Sequence, residues 1–425
     1  MRHIFDQYSH PENRLTHALA CCLAEDGKLL RAFVAWATGH KPPSGRLHIV
    51  EQRLPGEAED AEVEPGNAGL PDIWIYTDEG WSLLIENKVA STLTRRQLER
   101  HQATAERRGF DDVRLLAIDV NEPARALPAE CAFRKWSDVY VWFKRHAGRS
   151  EWARRFAEYM PVAEVRMVED GYPLEGTLTV FDGIPFDNDH PYAYREAKRL
   201  LKLAMDELQR DPKLKKMLGV DPDADRRPAI TGREGTAVWD FLPLKAAQGS
   251  TEFIKFPHPT LGVQSERLLV QLTLPNGMRR EYRRRLLDLG QDGFAELLGK
   301  VNTKLCRSQK GVSGAAPMGF ILQRHYRSQR SRGTIDAMLE FDLRTAFSDK
   351  RRTGEVKHQS EWLAAAYAAY KNKRSNIQLA IGATFAYGEC GAIKTRRALE
   401  LVRDTWLATR PVLVAMGVVP AGRVS

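Results

Sequence analysis

The sequence predicts a two-domain α/β protein: a first domain ordered helix, strand, strand, strand, helix, strand, then a second domain of α+β type. Three observations predict it. A chain of 425 residues exceeds what one ordinary core organises. Residues 70–88 carry two short apolar runs about a polar turn containing Gly80, which is a hairpin signal. Helix signals flank that hairpin on both sides, a capped apolar stripe before it and a Thr-capped, Gly-ended segment after it.

The first helix opens at Ser9-His10-Pro11-Glu12, where Ser suits an N-cap, Pro a first turn, and Ser-x-x-Glu a capping box. Leu15, Leu19, Cys22 and Leu23 form its apolar stripe, and Glu12 shares that face. A helix is expected from Gly27 to Trp36, a loop over 39–45 and a first strand over 46–53. The acidic segment 55–69 has no periodicity and reads as a mobile loop.

In the hairpin, a turn centred on Glu79 sets Trp81 opposite Thr77 and, outward, Glu86 opposite Asp72. Cβ atoms so opposed lie roughly 4.5–5.5 Å apart, and two carboxylates there repel unless a cation lies between them. Lys88 points to the same face because strand side chains alternate. Three ionisable groups at the end of an otherwise apolar strand pair mark a site. Thr92 or Thr94 then caps a helix to Arg108, ended by Gly109. Gln97 and His101 lie one turn apart on it, either as solvated residues or as part of the site. A strand from Asp112 to Val120 and aromatic-rich helices over 136–146 and 151–160 complete the domain.

At these residues the chain resembles the PD-(D/E)XK nuclease superfamily, whose motif stands here as Pro71-Asp72 and Glu86-Asn87-Lys88. Gln97-Leu98-Glu99-Arg100-His101 is similar to the Gln-x-x-x-Tyr motif of the RecB-like branch, with His101 in place of Tyr. The resemblance covers about the first 120 residues, extending to 165 at most. It implies a restriction-endonuclease-like αβββαβ core and a Mg²⁺-dependent site, with Mn²⁺ as substitute. Asp72 and Glu86 would hold the ion, helped by the Asn87 carbonyl, while Lys88 orients the attacking water and Gln97 supports the site. For Glu12 two roles stand open: capping its own helix, or reaching inward as a further acid ligand.

The domains are set at 1–165 and 166–425. Up to Val165 the chain carries 22 Lys/Arg against 25 Asp/Glu, and beyond it 42 against 30, so the second part holds the basic excess. Its expected elements are a strand over 177–181, a helix over 191–209 and a polar stretch over 211–227. Strands follow over 237–242, 268–274, 278–284, 319–326 and 337–341, the second and third forming a hairpin about Pro275-Asn276-Gly277, with helices over 361–370 and 393–407 at the end. Arg283 and Arg284 in one run, and Arg324, Arg327 and Arg330 in another, alternate with Tyr and His. They are candidate nucleic-acid contacts or a solvated face.

Five cysteines without a Cys-x-x-Cys pair, no signal-peptide pattern and no apolar run of membrane-spanning length point to a reducing cytoplasm and no membrane partner. The expected function is Mg²⁺-dependent phosphodiester hydrolysis in DNA, or alternatively RNA, of the kind the superfamily uses in restriction, repair and phage defence. Two rivals stand beside it: an inactive nucleic-acid-binding or scaffold subunit, and an effector whose second domain senses a ligand or partner. A homo-oligomer or a defence-system partner fits either.

Overall fold

The computed structural model describes residue 5 and residues 10–53, 55, 70–89, 91–123, 125–169, 176–186, 192–224, 231–233, 236–250, 252–327, 333–347, 359–372 and 376–421. Ser9, the acidic segment 56–69 and Arg330 lie outside the described residues. The chain is mixed α/β, with two sheets among the described residues, and divides into two compact units, Met1–Val180 and Phe181–Ser425.

Unit one opens with α1 (Pro11–Glu25) and α2 (Gly27–Thr38). Asp26 ends the first and caps the second, accepting from Lys28 N at 3.1 Å and Leu29 N at 3.0 Å. His10, with no side-chain cap bond, is the N-cap of α1. Then come β1 (His48–Glu51), β2 (Ile73–Tyr76), β3 (Trp81–Asn87), α3 (Arg95–Arg107), β4 (Asp112–Asp119), β5 (Cys131–Lys135), α4 (Trp136–His146) and α5 (Glu151–Glu169). The sheet runs in chain order, antiparallel from β1 to β3 and parallel from β3 to β5. A parallel step needs a crossover, and α3 supplies it between β3 and β4.

One face of this sheet packs Ile73, Ile75, Leu83, Ile85 and Leu116 into the larger core with α1, α2, α4 and α5. The other carries a small cluster, Trp74, Leu84 and Leu115 with Leu98 and Ala105 of α3. The short β5 was not expected from the sequence. All five of its residues are half-buried, so it lacks the alternation that announces a strand.

Two expectations at the end of this unit are corrected. Helix α5 runs through position 165, and the division falls between Val180 and Phe181. The expected strand over 177–181 does not form, because its polar groups are taken by α5: Glu164 accepts from Leu178 N at 2.7 Å and from the Thr179 hydroxyl.

Unit two holds α6 (Tyr194–Gln209), α7 (Pro212–Leu218), β6 (Thr231–Arg233), β7 (Ala237–Phe241), β8 (His258–Gln264), β9 (Arg267–Leu274), α8 (Arg280–Leu287), α9 (Gly290–Ser308), β10 (Ala315–His325), β11 (Thr334–Asp342), α10 (Leu343–Phe347), α11 (Glu361–Lys371), β12 (Asn376–Ala386), α12 (Arg397–Ala408) and α13 (Arg410–Ala415). Its seven strands are ordered β11-β10-β12-β9-β8-β7-β6, every neighbour antiparallel.

The expected hairpin partner over 278–284 is largely helical instead, within α8. Strand β9 already has β8 on one side and β12 on the other, so no edge is left for it. The polar stretch after α6 also hides a helix: Asp211 caps α7 through Lys213 N at 2.8 Å, Pro212 starts it, and Gly219 at φ +71° ends it. Helix α9 went unread because Gly290, Gly293 and Gly299 mimic loop sequence. Among the described residues no helix is long and apolar enough to cross a membrane.

Candidate active site

The site grows from the register of β2 and β3. Ile73 pairs with Ile85, Trp74 with Leu84, Ile75 with Leu83 and Tyr76 with Ser82. Thr77 N donates to Trp81 O at 2.9 Å and Gly80 takes φ +87°, closing the turn. One step outward, the same register sets Asp72 opposite Glu86, on the face that carries Trp74 and Leu84.

On that face the polar groups converge. Lys88 Nζ donates to Glu86 Oε1 at 2.6 Å. Gln97 Nε2 donates to the same oxygen, and His101 Nε2 meets Glu86 Oε2 at 2.9 Å. Helix α3 delivers both residues: Thr94 caps it through Gln97 N at 3.3 Å, and the one-turn spacing of 97 and 101 turns both toward β3. Glu86 and His101 are 2% and 1% exposed, and burial of such groups is offset by hydrogen bonds, which Glu86 receives from Lys88 and Gln97 as well as from His101.

Asp72 Oδ2 accepts from Asn87 N at 2.7 Å. Burial, and then the neighbouring Glu86 charge, push the Asp72 carboxyl up to about 7 against the pull of the Asn87 amide and Lys88. For Lys88, burial favours the neutral amine, but Glu86, Asp72 and Glu12 outweigh it and hold the ammonium above the usual lysine value. Trp136 Nε1 fixes the Lys88 carbonyl at 3.0 Å, and Lys88 N donates to Ile118 O at 2.7 Å, so the strand end is pinned from both sides.

Glu12 reaches beyond its own helix. Its carboxylate accepts from Val89 N at 2.9 Å, Ser91 N at 3.0 Å and Ser91 Oγ at 2.6 Å, which ties α1 to the turn after Lys88. The Asn87 side chain lies on the opposite face of the sheet, where Nδ2 donates to Thr16 Oγ1 at 3.1 Å and the buried Oδ1 has no partner among the described residues. Only the main chain of Asn87 can therefore serve the face that carries Glu86.

The chain matches no protein-family model and no curated protein.

One further acid escaped the sequence. Asp119 ends β4 one step beyond the Asn87 and Ile118 pair, beside Lys88 and on its face. Its pKa is raised by burial and by Glu12, against the Val120 and Asn121 amides and Lys88. The available signal was an Asp closing the apolar run Val113–Ile118.

A divalent cation suits the donor chemistry in part. Asp72 and Glu86 offer hard oxygens on one face, and the Asp72 carboxyl is raised first by burial and then by the Glu86 charge, which a cation between the two would offset. Among the described residues no three His, Cys, Asp or Glu side chains form a closed ligand set. Two carboxylates match Mg²⁺, which keeps much of its water.

The basic residues of unit two are differently disposed. Arg283 Nη2 donates to Tyr370 O at 2.6 Å and Asn372 O at 3.2 Å, and its guanidinium lies 4.9 Å from the Tyr370 ring centroid, so it is committed to packing α8. Arg284 is exposed and faces Asp288 at 3.5 Å. Arg324 is half-buried on β10, with Gln378 Oε1 at 3.4 Å, and Arg327 is exposed just past that strand. The two runs therefore lie on separate elements.

Proposed function

We propose that the first unit is a metal-dependent phosphodiesterase with a restriction-endonuclease-like core, acting on DNA. The observation that carries the reading is the β2–β3 register, which opposes Asp72 to Glu86 and brings Lys88 onto Glu86 from the same face. Asp72 and Glu86 would hold Mg²⁺, which supplies Lewis-acid polarisation of a phosphate oxygen when bound.

The chain's own residues perform the rest. Gln97 and His101 fix the orientation of Glu86, so its position is set before substrate arrives. Lys88 offers a cation to the negative charge that develops on the phosphoryl oxygens, and orients the attacking water. Glu12, by holding Val89 and Ser91, keeps the Lys88 strand end in place.

A second reading, an inactive nucleic-acid-binding subunit, is favoured by one observation: both oxygens of Glu86 already have donors from within the chain. Incubation of the purified protein with circular and linear DNA, with and without Mg²⁺, separates the two. Mg²⁺-dependent cleavage that disappears in Asp72→Ala and Lys88→Ala supports the enzyme. Binding without turnover, or undiminished cleavage by both variants, removes it.

A further inference from the structure

Beside Lys88 the first unit opens a cleft of about 880 Å³, walled by the turn after β3, the start of α3 and the segment following β4. Its charges are unevenly compensated. Glu99 is held by Arg95 at 2.7 Å, and Glu122 by Lys135 at 2.9 Å. Asp119, at the inner end, accepts from Val120 N at 2.6 Å. Arg96 on α3 and Arg125 on the segment after β4 both line the cleft and are exposed, and no hydrogen bond or ion pair holds either among the described residues. The N-terminal end of α3 adds its partial positive charge to the same wall.

We propose that this cleft is a phosphate subsite for the polynucleotide, with Arg96 and Arg125 gripping the backbone next to the bond presented to Lys88. The inference rests on the nuclease reading and goes beyond it by assigning the strand's path. Guanidinium forks match phosphate oxygens in charge and shape. A cation that spends nothing on intramolecular pairing keeps its full attraction for a ligand.

The test is binding, read apart from catalysis. Fluorescence anisotropy of labelled single-stranded and duplex DNA in EDTA, across a salt series, compares the full-length wild type with R96Q/R125Q. A charge-matched control, R107Q/R108Q, lies at the other end of α3. Two lost phosphate contacts flatten the slope of log K against log salt by about 1.4 for single strands or about 1.8 for duplex. They also weaken binding about tenfold or more at moderate salt, while the control pair stays near wild type.

An unchanged slope in R96Q/R125Q overturns the subsite and leaves the nuclease reading standing. An equal loss in the control pair also overturns it, since net charge would then explain the effect. A wild type that neither binds nor cleaves overturns both. Thermal melting of each variant confirms folding, which neither exposed arginine supports.

Discussion

The two faces of the β2–β3 hairpin share one backbone and differ in what they bury. Toward α1 and α5 the strands present Ile73, Ile75, Leu83 and Ile85, each fully buried in the larger core. Toward α3 they present Trp74 and Leu84, and then Asp72, Glu86 and Lys88. The first face stabilises the fold, at roughly 1.5–3 kcal/mol for each large apolar side chain removed from water. The second gives up part of that gain to hold two acids and a lysine beneath His101 of α3. The difference teaches that the apolar face provides the rigidity against which the charged face is held in position.

The comparison can be broken most sharply by activity without stability. Asp72→Asn, which keeps an acceptor for the Asn87 amide, is expected to lower Mg²⁺-dependent cleavage by at least about 10³-fold with the denaturation midpoint nearly unmoved, whereas Lys88→Ala lowers cleavage as far but strips the buried Glu86 of a partner and costs about 3–5 kcal/mol. Cleavage assays paired with urea titrations check both halves. The mirror experiment is Ile85→Ala, which leaves a cavity in the larger core and is expected to cost about 2–5 kcal/mol of stability by urea titration. Residual folded enzyme should keep its turnover per folded molecule.

Between these extremes lie the residues that orient Glu86. Gln97→Ala and His101→Ala are each expected to weaken apparent Mg²⁺ affinity by about 10–100-fold, read from the metal dependence of cleavage and from metal-titration calorimetry. A smaller effect concerns protons. Because the folded chain keeps the Asp72 proton up to about 7 and the unfolded chain loses it near 3.8, the unfolded state releases a proton first. Metal-free stability should therefore fall as pH rises across that window and stay low above it. Asp72→Asn should flatten the fall, and thermal melts in EDTA measure it. Smallest is Ser91→Ala, which removes the hydroxyl on Glu12 and should cost about 1 kcal/mol.

Local chemistry made the site's axis legible. Two apolar runs, a four-residue turn with Gly80 and strict alternation admit the 72-to-86 opposition, and the observed pairs continue to it. Thr94 and Gly109 likewise delimited α3. Where reading failed, a long-range partner had taken the decision. For Glu12, capping and reaching inward stood equally open because the Val89 and Ser91 amides it serves lie 77 and 79 positions away. The segment 278–284 looked like a strand, but β12, from far along the chain, occupies the edge of β9 that it needed. Arg283 looked like a phosphate contact until the Tyr370 carbonyl claimed it, 87 positions away.

The sequence by itself determined the hairpin, its register and the side of the sheet on which Asp72, Glu86 and Lys88 stand. Those follow from turn closure and a two-residue period, both local. Only the tertiary structure decided that Gln97 and His101 close over Glu86, that Glu12 braces the strand end, that Asp119 arrives beside Lys88, and that Arg96 and Arg125 line one cleft. Each of these depends on which distant segments share a sheet or pack on it, and that is settled by burial summed over the whole unit, where no short stretch of residues carries a signal.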